Sequence, residues 1–197
     1  VFSINRKYTV SLCEAIIKEN LKIEFLIETH LKNLDDELIS LLKRAGLKMV
    51  YVGIESVNPG VLKDINRFTI DDDQQYQIIY KLKKNGIYVK SMYMFGMPSD
   101  NEETIKNTIK YSKFLPNQLV QYSVFTPYPG TPVHKEFEDK IIVNEFEKYT
   151  QYNLVYKHKS LNNDIIIKLK NFGYKKFYYD FRNLFVIFLS LSSFFKK

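Results

Sequence analysis

Apolar residues recur along the chain in two alternating rhythms. "LDDELISLLKRAG" (residues 34–46) and "DDDQQYQIIYKLKKNG" (71–86) space them three or four apart, as on one helix face. "LKMVYVGIES" (47–56) and "IYVKSMYMFG" (87–96) are short runs rich in β-branched and aromatic residues, the composition of strands. "SLCEAIIKEN" followed by "LKIEFLIET", and "NEETIKNTIKYSKFLPN" followed by "QLVQYSVFTP", repeat the pairing. Four helix–strand units in series predict parallel strands near 23–29, 49–55, 89–95 and 119–125, because a crossover through a helix returns the chain to the same edge.

Local punctuation agrees with these units. The two central helices stop at Gly46 and Gly86, where a residue without a Cβ adopts the left-handed conformation that ends a helix. Starts are marked by a short polar residue three before an acid: Asn33 before Asp36, Thr69 before Asp72, and Ser99 before Glu102, the last a full capping box. "VFSINRKYT", the first nine residues, reads as the end of a strand and the turn after it, so a longer protein is expected upstream. No GxGxxG with its acidic ribose partner is present, which argues against a dinucleotide fold and for a segment of a (β/α) barrel.

Strand parity then sorts side chains. Tyr51, Gly53 and Glu55 share one face, as do Met92, Met94 and Gly96, and Gln121, Ser123 and Phe125. A carboxylate beside a glycine, with an amide and a hydroxyl opposite, suits a ligand wall at the strand ends better than a face covered by helices. The alternative for Gln121 and Ser123 is that they bond one another. For Glu55 that alternative is weaker, because a buried carboxylate is costly without a specific partner.

Composition adds limits. With 45% hydrophobic and 26% charged residues over 197, the chain can build one sizeable core. Its single cysteine, Cys13, excludes a disulfide framework and reads as a core residue. His30, His134 and His158 are far apart and make no HExxH or similar metal signature. The net charge of +7 is spread over ordinary helices without a recognisable nucleic-acid module, which disfavours nucleic acid as a partner.

"YVGIESVNPGVLKDINRFT", "GIYVKSMYMFGMPSDNEET" and "LVQYSVFTPYPGTP" stand in the order and approximate spacing of the radical SAM enzymes. Over residues 1–137 the chain resembles the class that often carries an upstream cobalamin-binding domain, the group of anaerobic magnesium-protoporphyrin monomethyl ester cyclase and related methyltransferases. The resemblance implies an α/β fold: the C-terminal four strands of a (β/α)6 partial TIM barrel (1–137), followed by a mainly helical extension (138–197). It implies S-adenosylmethionine (SAM) as cofactor, and a [4Fe-4S] cluster on a CxxxCxxC loop that would lie upstream of Val1. The cluster would cleave SAM to a 5′-deoxyadenosyl radical for C–H functionalisation, methyl transfer or cyclisation of a small-molecule substrate. An electron donor for the cluster is implied as a partner, and by analogy with the group an upstream cobalamin-binding domain. One cysteine cannot supply three thiolates, so residues 1–197 alone are expected to lack radical activity.

Carried over by position, Glu55 and Ser56 close the family's fourth strand and would face the ribose or the methionine end of SAM, with Gly53 admitting the backbone approach. Met94 and Gly96 match the adenine-side segment, where isoleucine is commoner than Met94, and Ser123 would face the same cavity. The family's "GxPGET" is "GMPSDNE" here, with Ser99 and Asp100 in place of glycine and glutamate. "TPYPGTP" (126–132), with two prolines and a glycine between Thr126 and Thr131, either floors or rims the pocket on the substrate side or is simply a rigid loop. "FSINRKYT" aligns loosely with an acidic segment of the family, with Ile4 and Asn5 where carboxylates are common; Glu28 and His30 close "IEFLIETH" either toward the pocket or toward solvent.

The tail matches no motif. "LFVIFLSLSSFF" (184–195), flanked by lysines and Arg182, is shorter than the roughly 20 residues needed to span a bilayer. Two expectations stand for it: a helix packed on the protein, or an interfacial anchor making membrane-surface contact. A cytoplasmic enzyme is expected, membrane-associated if the tail is an anchor. The competing expectation for the whole chain is a barrel scaffold or interaction module without catalysis.

Overall fold

The computed structural model describes residues 1–67 and 69–180. After a 3-10 turn at Phe2–Ile4 come α1 (Arg6–Lys18), β1 (Phe25–Thr29), α2 (Asp36–Ala45), β2 (Leu47–Glu55) and the short α3 (Pro59–Lys63). Next come α4 (Asp72–Lys84), β3 (Tyr88–Phe95), α5 (Glu102–Phe114), β4 (Leu119–Val124), α6 (Pro132–Glu136) and α7 (Asn163–Tyr178). The four strands form one sheet in the order β1-β2-β3-β4, every neighbouring pair parallel. This is the expected partial (β/α) barrel, followed by helices.

The strand rhythm explains the layering. Val50, Val52 and Ile54 of β2, Val89, Tyr93 and Phe95 of β3, and Val120, Tyr122 and Val124 of β4 are buried beneath the helices. They pack with Leu38 and Leu42 of α2, Ile79 and Leu82 of α4, and Ile105 and Ile109 of α5. Each such side chain contributes about 1.5–3 kcal/mol by leaving water. The intervening residues Tyr51, Gly53, Met92, Met94, Gln121 and Ser123 lie half-buried on the other face, as parity required, and Glu55 joins them past an irregularity at the end of β2.

Two local expectations are corrected. Residues 1–9 hold no strand: their aromatic and β-branched composition imitates one, but Asn5 Oδ1 accepts from the Tyr8 amide and starts α1 at Arg6. The caps lie two residues nearer their helices than Asn33, Thr69 and Ser99, at Asp35, Asp71 and Asn101. At α5 the Asn101 side chain accepts from Glu103 and Thr104, while Thr104 Oγ1 accepts from the Asn101 amide, so the box runs from Asn101 to Thr104. Asn101→Ala is therefore expected to cost about 1 kcal/mol. A urea midpoint unchanged by Asn101→Ala would contradict the assignment.

The segment from residue 151 through α7 seals the β4 edge. The amides of Val120, Tyr122 and Val124 donate to Tyr178 Oη, Tyr174 Oη and the Gln151 carbonyl, at 3.2, 3.1 and 2.8 Å. α7 can come this close because residue 173 is glycine: a Cβ there would lie 2.9 Å from Tyr122 Cε2 and 3.2 Å from Ile109 Cγ1. The expectations for residues 184–195 fall outside the described residues; within these, no helix is long and apolar enough to cross a membrane.

Candidate functional site

The last turn of β2 builds the site. The register with β3 slips between Gly53 and Glu55, and Glu55 takes φ 67°, a left-handed conformation that a side-chain-bearing residue adopts only when its surroundings hold it there. The bend folds the Glu55 side chain back over Gly53. A Cβ on Gly53 would collide with Glu55 Oε1 and lie 3.0 Å from Arg67 Nη2, so the glycine leaves the space that the two charged groups occupy.

Arg67 follows α3 and reaches back to the strand ends. Its Nη2 donates to the Gly53 carbonyl and to His30 Nδ1, each at 3.0 Å, and lies 3.5 Å from Glu55 Oε1. Both partners of this ion pair are largely buried, with side chains 24% and 16% exposed, so solvent screens them less than a surface pair. Burial pushes the Glu55 carboxyl above its usual range and Glu28 adds to this, while Arg67, shared among three acceptors, only partly opposes it. Burial, and then the Arg67 charge, lower the basicity of His30, in keeping with an Nδ1 that accepts the arginine N–H.

A cavity of about 200 Å³ opens beside the pair, lined by His30, Gly53, Ile54, Asn66, Arg67 and Gln75 among others. Gln75 is buried; its Nε2 donates to the Ile70 carbonyl at 2.9 Å, but its Oε1 is a buried acceptor without a donor among the described residues. Such an atom is costly unless a bound group or water donates to it. Arg67 and Gln75 were not singled out from the sequence. The one local signal is that Arg67 is the only lysine or arginine between Lys63 and Lys81, just ahead of three aspartates.

The other expected residues divide into two sets. Gly53, Glu55, Met94 and Ser123 share the open face: Gly53 pairs with Met92, and Met94 with Ser123, so Glu55 and Ser123 stand about 10 Å apart across β3. Ser123 Oγ donates to Gln151 Oε1 at 2.8 Å and neighbours Gln121 Nε2 at 3.2 Å, the mutual bonding weighed as an alternative to ligand contact. Ser56 and Gly96 turn to the helix side instead. Ser56 Oγ meets Thr108 Oγ1 at 3.3 Å and accepts from the Asn58 amide at 3.2 Å. Gly96 has φ 78°, and a Cβ there would lie 2.8 Å from Ile166 Cδ1, so it permits close packing on α7 rather than presenting a surface to the open face.

A parallel partial barrel thus carries a partly buried carboxylate–guanidinium pair and a cavity at the C-terminal ends of its strands, where barrel folds place their ligand sites. Residues 3–112 match the model of the radical SAM superfamily. The chain belongs to that superfamily. It is 28% identical over 179 residues to an uncharacterized methyltransferase of Pyrococcus horikoshii, covering 90% of this chain and 39% of that protein. It is 27% identical over 178 residues to an anaerobic magnesium-protoporphyrin IX monomethyl ester cyclase of Rubrivivax gelatinosus, covering 89% and 32%. Among solved structures, the radical SAM methyltransferase TsrM of Kitasatospora setae, with cobalamin and a [4Fe-4S] cluster bound, shares the fold at TM-score 0.63 and 18% identity, over 70% of this chain and 29% of that one. The chain thus spans between 32% and 39% of the length of the two curated relatives.

The residues present do not fit the superfamily's cluster. Cys13 is the only cysteine, it is buried, and burial raises its thiol pKa away from the thiolate that binds iron. Among the described residues no group of three or more His, Cys, Asp or Glu side chains could hold a metal. The fit to SAM is better: Gly53, Arg67 and the orphaned Gln75 acceptor line one cavity, and the Glu55 carboxylate stands beside Arg67 at its edge without lining it.

Proposed function

We propose that the full-length protein is a radical SAM enzyme and that Gly53, Glu55, Met94 and Ser123, with Arg67, line its SAM pocket, while Ser56 and Gly96 hold the rim. The observation that carries this reading is the Glu55–Arg67 pair over Gly53 beside the open cavity. The amino-acid end of SAM bears an ammonium and a carboxylate, and the pair offers the complementary charges side by side. When bound, SAM and a reduced [4Fe-4S] cluster supply a 5′-deoxyadenosyl radical. This chain's part is to bind SAM, to orient it and to shield it from water.

Residues 1–137 form the catalytic core in this reading and residues 138–197 an extension. The likeness to the cyclase and to a cobalamin-bound methyltransferase supports a cobalamin-using relative that acts by methyl transfer, cyclisation or other C–H functionalisation on a small molecule, with an electron donor for the cluster. The test is anaerobic. Full-length protein, loaded with iron and sulfide and reduced with dithionite, is expected to release 5′-deoxyadenosine from SAM, whereas residues 1–197 alone release none. A cluster-loaded, reduced full-length protein that neither binds SAM nor releases the nucleoside would favour a scaffold without catalysis.

A further inference from the structure

The loop from β3 to α5, "GMPSD" (96–100), is held from both sides. From within, the Asp100 carboxylate accepts from the amides of Gly96 and Met97 at 2.9 and 3.1 Å and from Thr104 Oγ1 at 2.6 Å. From outside, three residues at alternate positions of one extension segment each donate to a loop carbonyl. Tyr156 Oη donates to Gly96 at 2.7 Å, His158 Nε2 to Met97 at 2.9 Å, and Ser160 Oγ to Asp100 at 3.0 Å. A carbonyl only accepts, so His158 carries its proton on Nε2. Its Nδ1 in turn accepts the amides of Ser160 and Leu161, both at 3.1 Å, which fixes ring and tautomer together. Tyr156 and His158 are buried, and Tyr156 is wedged edge-on against Phe125 and Phe137.

The loop passes this constraint on. Ser99 donates through its amide and its hydroxyl to the two Asp64 oxygens, at 2.7 and 2.8 Å, and Asp64 lies three residues before Arg67. The Arg67 amide is itself bound to the Leu62 carbonyl at 3.0 Å. A continuous set of bonds therefore runs from the extension through the loop to the segment that aims the guanidinium at Glu55.

We infer that Tyr156, His158 and Ser160 are positioning residues: their grip on three carbonyls sets the β3–α5 loop and, through Ser99 and Asp64, the placement of Arg67. The effect on SAM rests on the SAM-pocket reading above; the grip itself does not. Two substitutions separate the halves of His158. His158→Asn keeps an acceptor near Nδ1 and loses the donor to Met97, whereas His158→Gln keeps a donor near Nε2 and loses the acceptor.

The expected result in the 197-residue chain is amide exchange at Gly96, Met97 and Ser99 about three- to tenfold faster in His158→Asn, with His158→Gln close to the parent. In cluster-loaded full-length protein, SAM affinity measured by calorimetry should fall by about the same factor in His158→Asn and be restored in His158→Gln. Equal behaviour of the two variants in exchange and affinity, whatever their stabilities, would overturn the inference. Tyr156→Phe and Ser160→Ala remove one donor each and give the same reading if a His158 variant does not fold. If Glu55→Gln also leaves SAM affinity unchanged, the pocket reading fails while the exchange data still decide the grip.

Discussion

Tyr122→Ala is expected to destabilise the protein by about 3–5 kcal/mol, the cost of emptying a large aromatic site in a core. Tyr122 is 1% exposed at the centre of β4, stacked on Phe95 with ring centroids 5.0 Å apart and edge-on to Tyr174 at 5.0 Å. Its hydroxyl pairs with Ser112 Oγ at 2.6 Å, and α7 is seated on its ring through Gly173. One side chain thus joins the sheet, α5 and the extension. For a domain whose total stability is typically about 5–15 kcal/mol, that loss leaves a large unfolded fraction. Tyr122→Phe keeps the ring and removes one hydrogen bond, for about 1 kcal/mol. Urea unfolding followed by circular dichroism compares the two, and equal costs would mean that the ring adds nothing beyond its hydroxyl to the junction of β4, α5 and α7.

The sheet and its two faces were legible because they rest on periods of the chain itself. Alternation in "VYVGIE" fixes which of Tyr51, Val52, Gly53 and Ile54 share a side, and no tertiary knowledge is needed to read it. Helix starts were legible only to within two residues, since "NLDDE", "TIDDD" and "SDNEE" each offer several side chains able to cap, and the backbone angles choose among them. Gly96 was placed by its motif on the adenine side, but what it approaches, Leu154 and Ile166, stands far downstream. Arg67 and Gln75 were hidden for a similar reason. An arginine in a loop and a glutamine in the first turns of a helix carry no period, and their aim into one cavity is set by how α3 and α4 fold back on the sheet.

Glu55→Gln is expected to weaken SAM binding by the full-length protein about ten- to a hundredfold, since a charged hydrogen bond contributes about 1.5–3 kcal/mol and about 1.4 kcal/mol is tenfold. Glutamine preserves the shape over Gly53 and leaves Arg67 its bonds to the Gly53 carbonyl and to His30. Stability without ligand should behave in the opposite sense. Burial raises the Glu55 carboxyl in the folded protein, so the folded chain holds that proton more firmly than the unfolded one. Its contribution to stability is therefore complete below the ordinary carboxylate value of about 4.3 and is lost as pH rises through the raised folded value. At neutral pH the ionised group is a net cost, and the glutamine variant should melt at the same temperature as the parent or higher. Below the ordinary carboxylate value the parent recovers that cost and the advantage should vanish. Calorimetric titration with SAM under anaerobic conditions, beside thermal melts at pH 4 and 7, tests both halves. Unchanged affinity with a lower melting temperature at pH 7 would make Glu55 a structural partner of Arg67 and remove it from the SAM pocket.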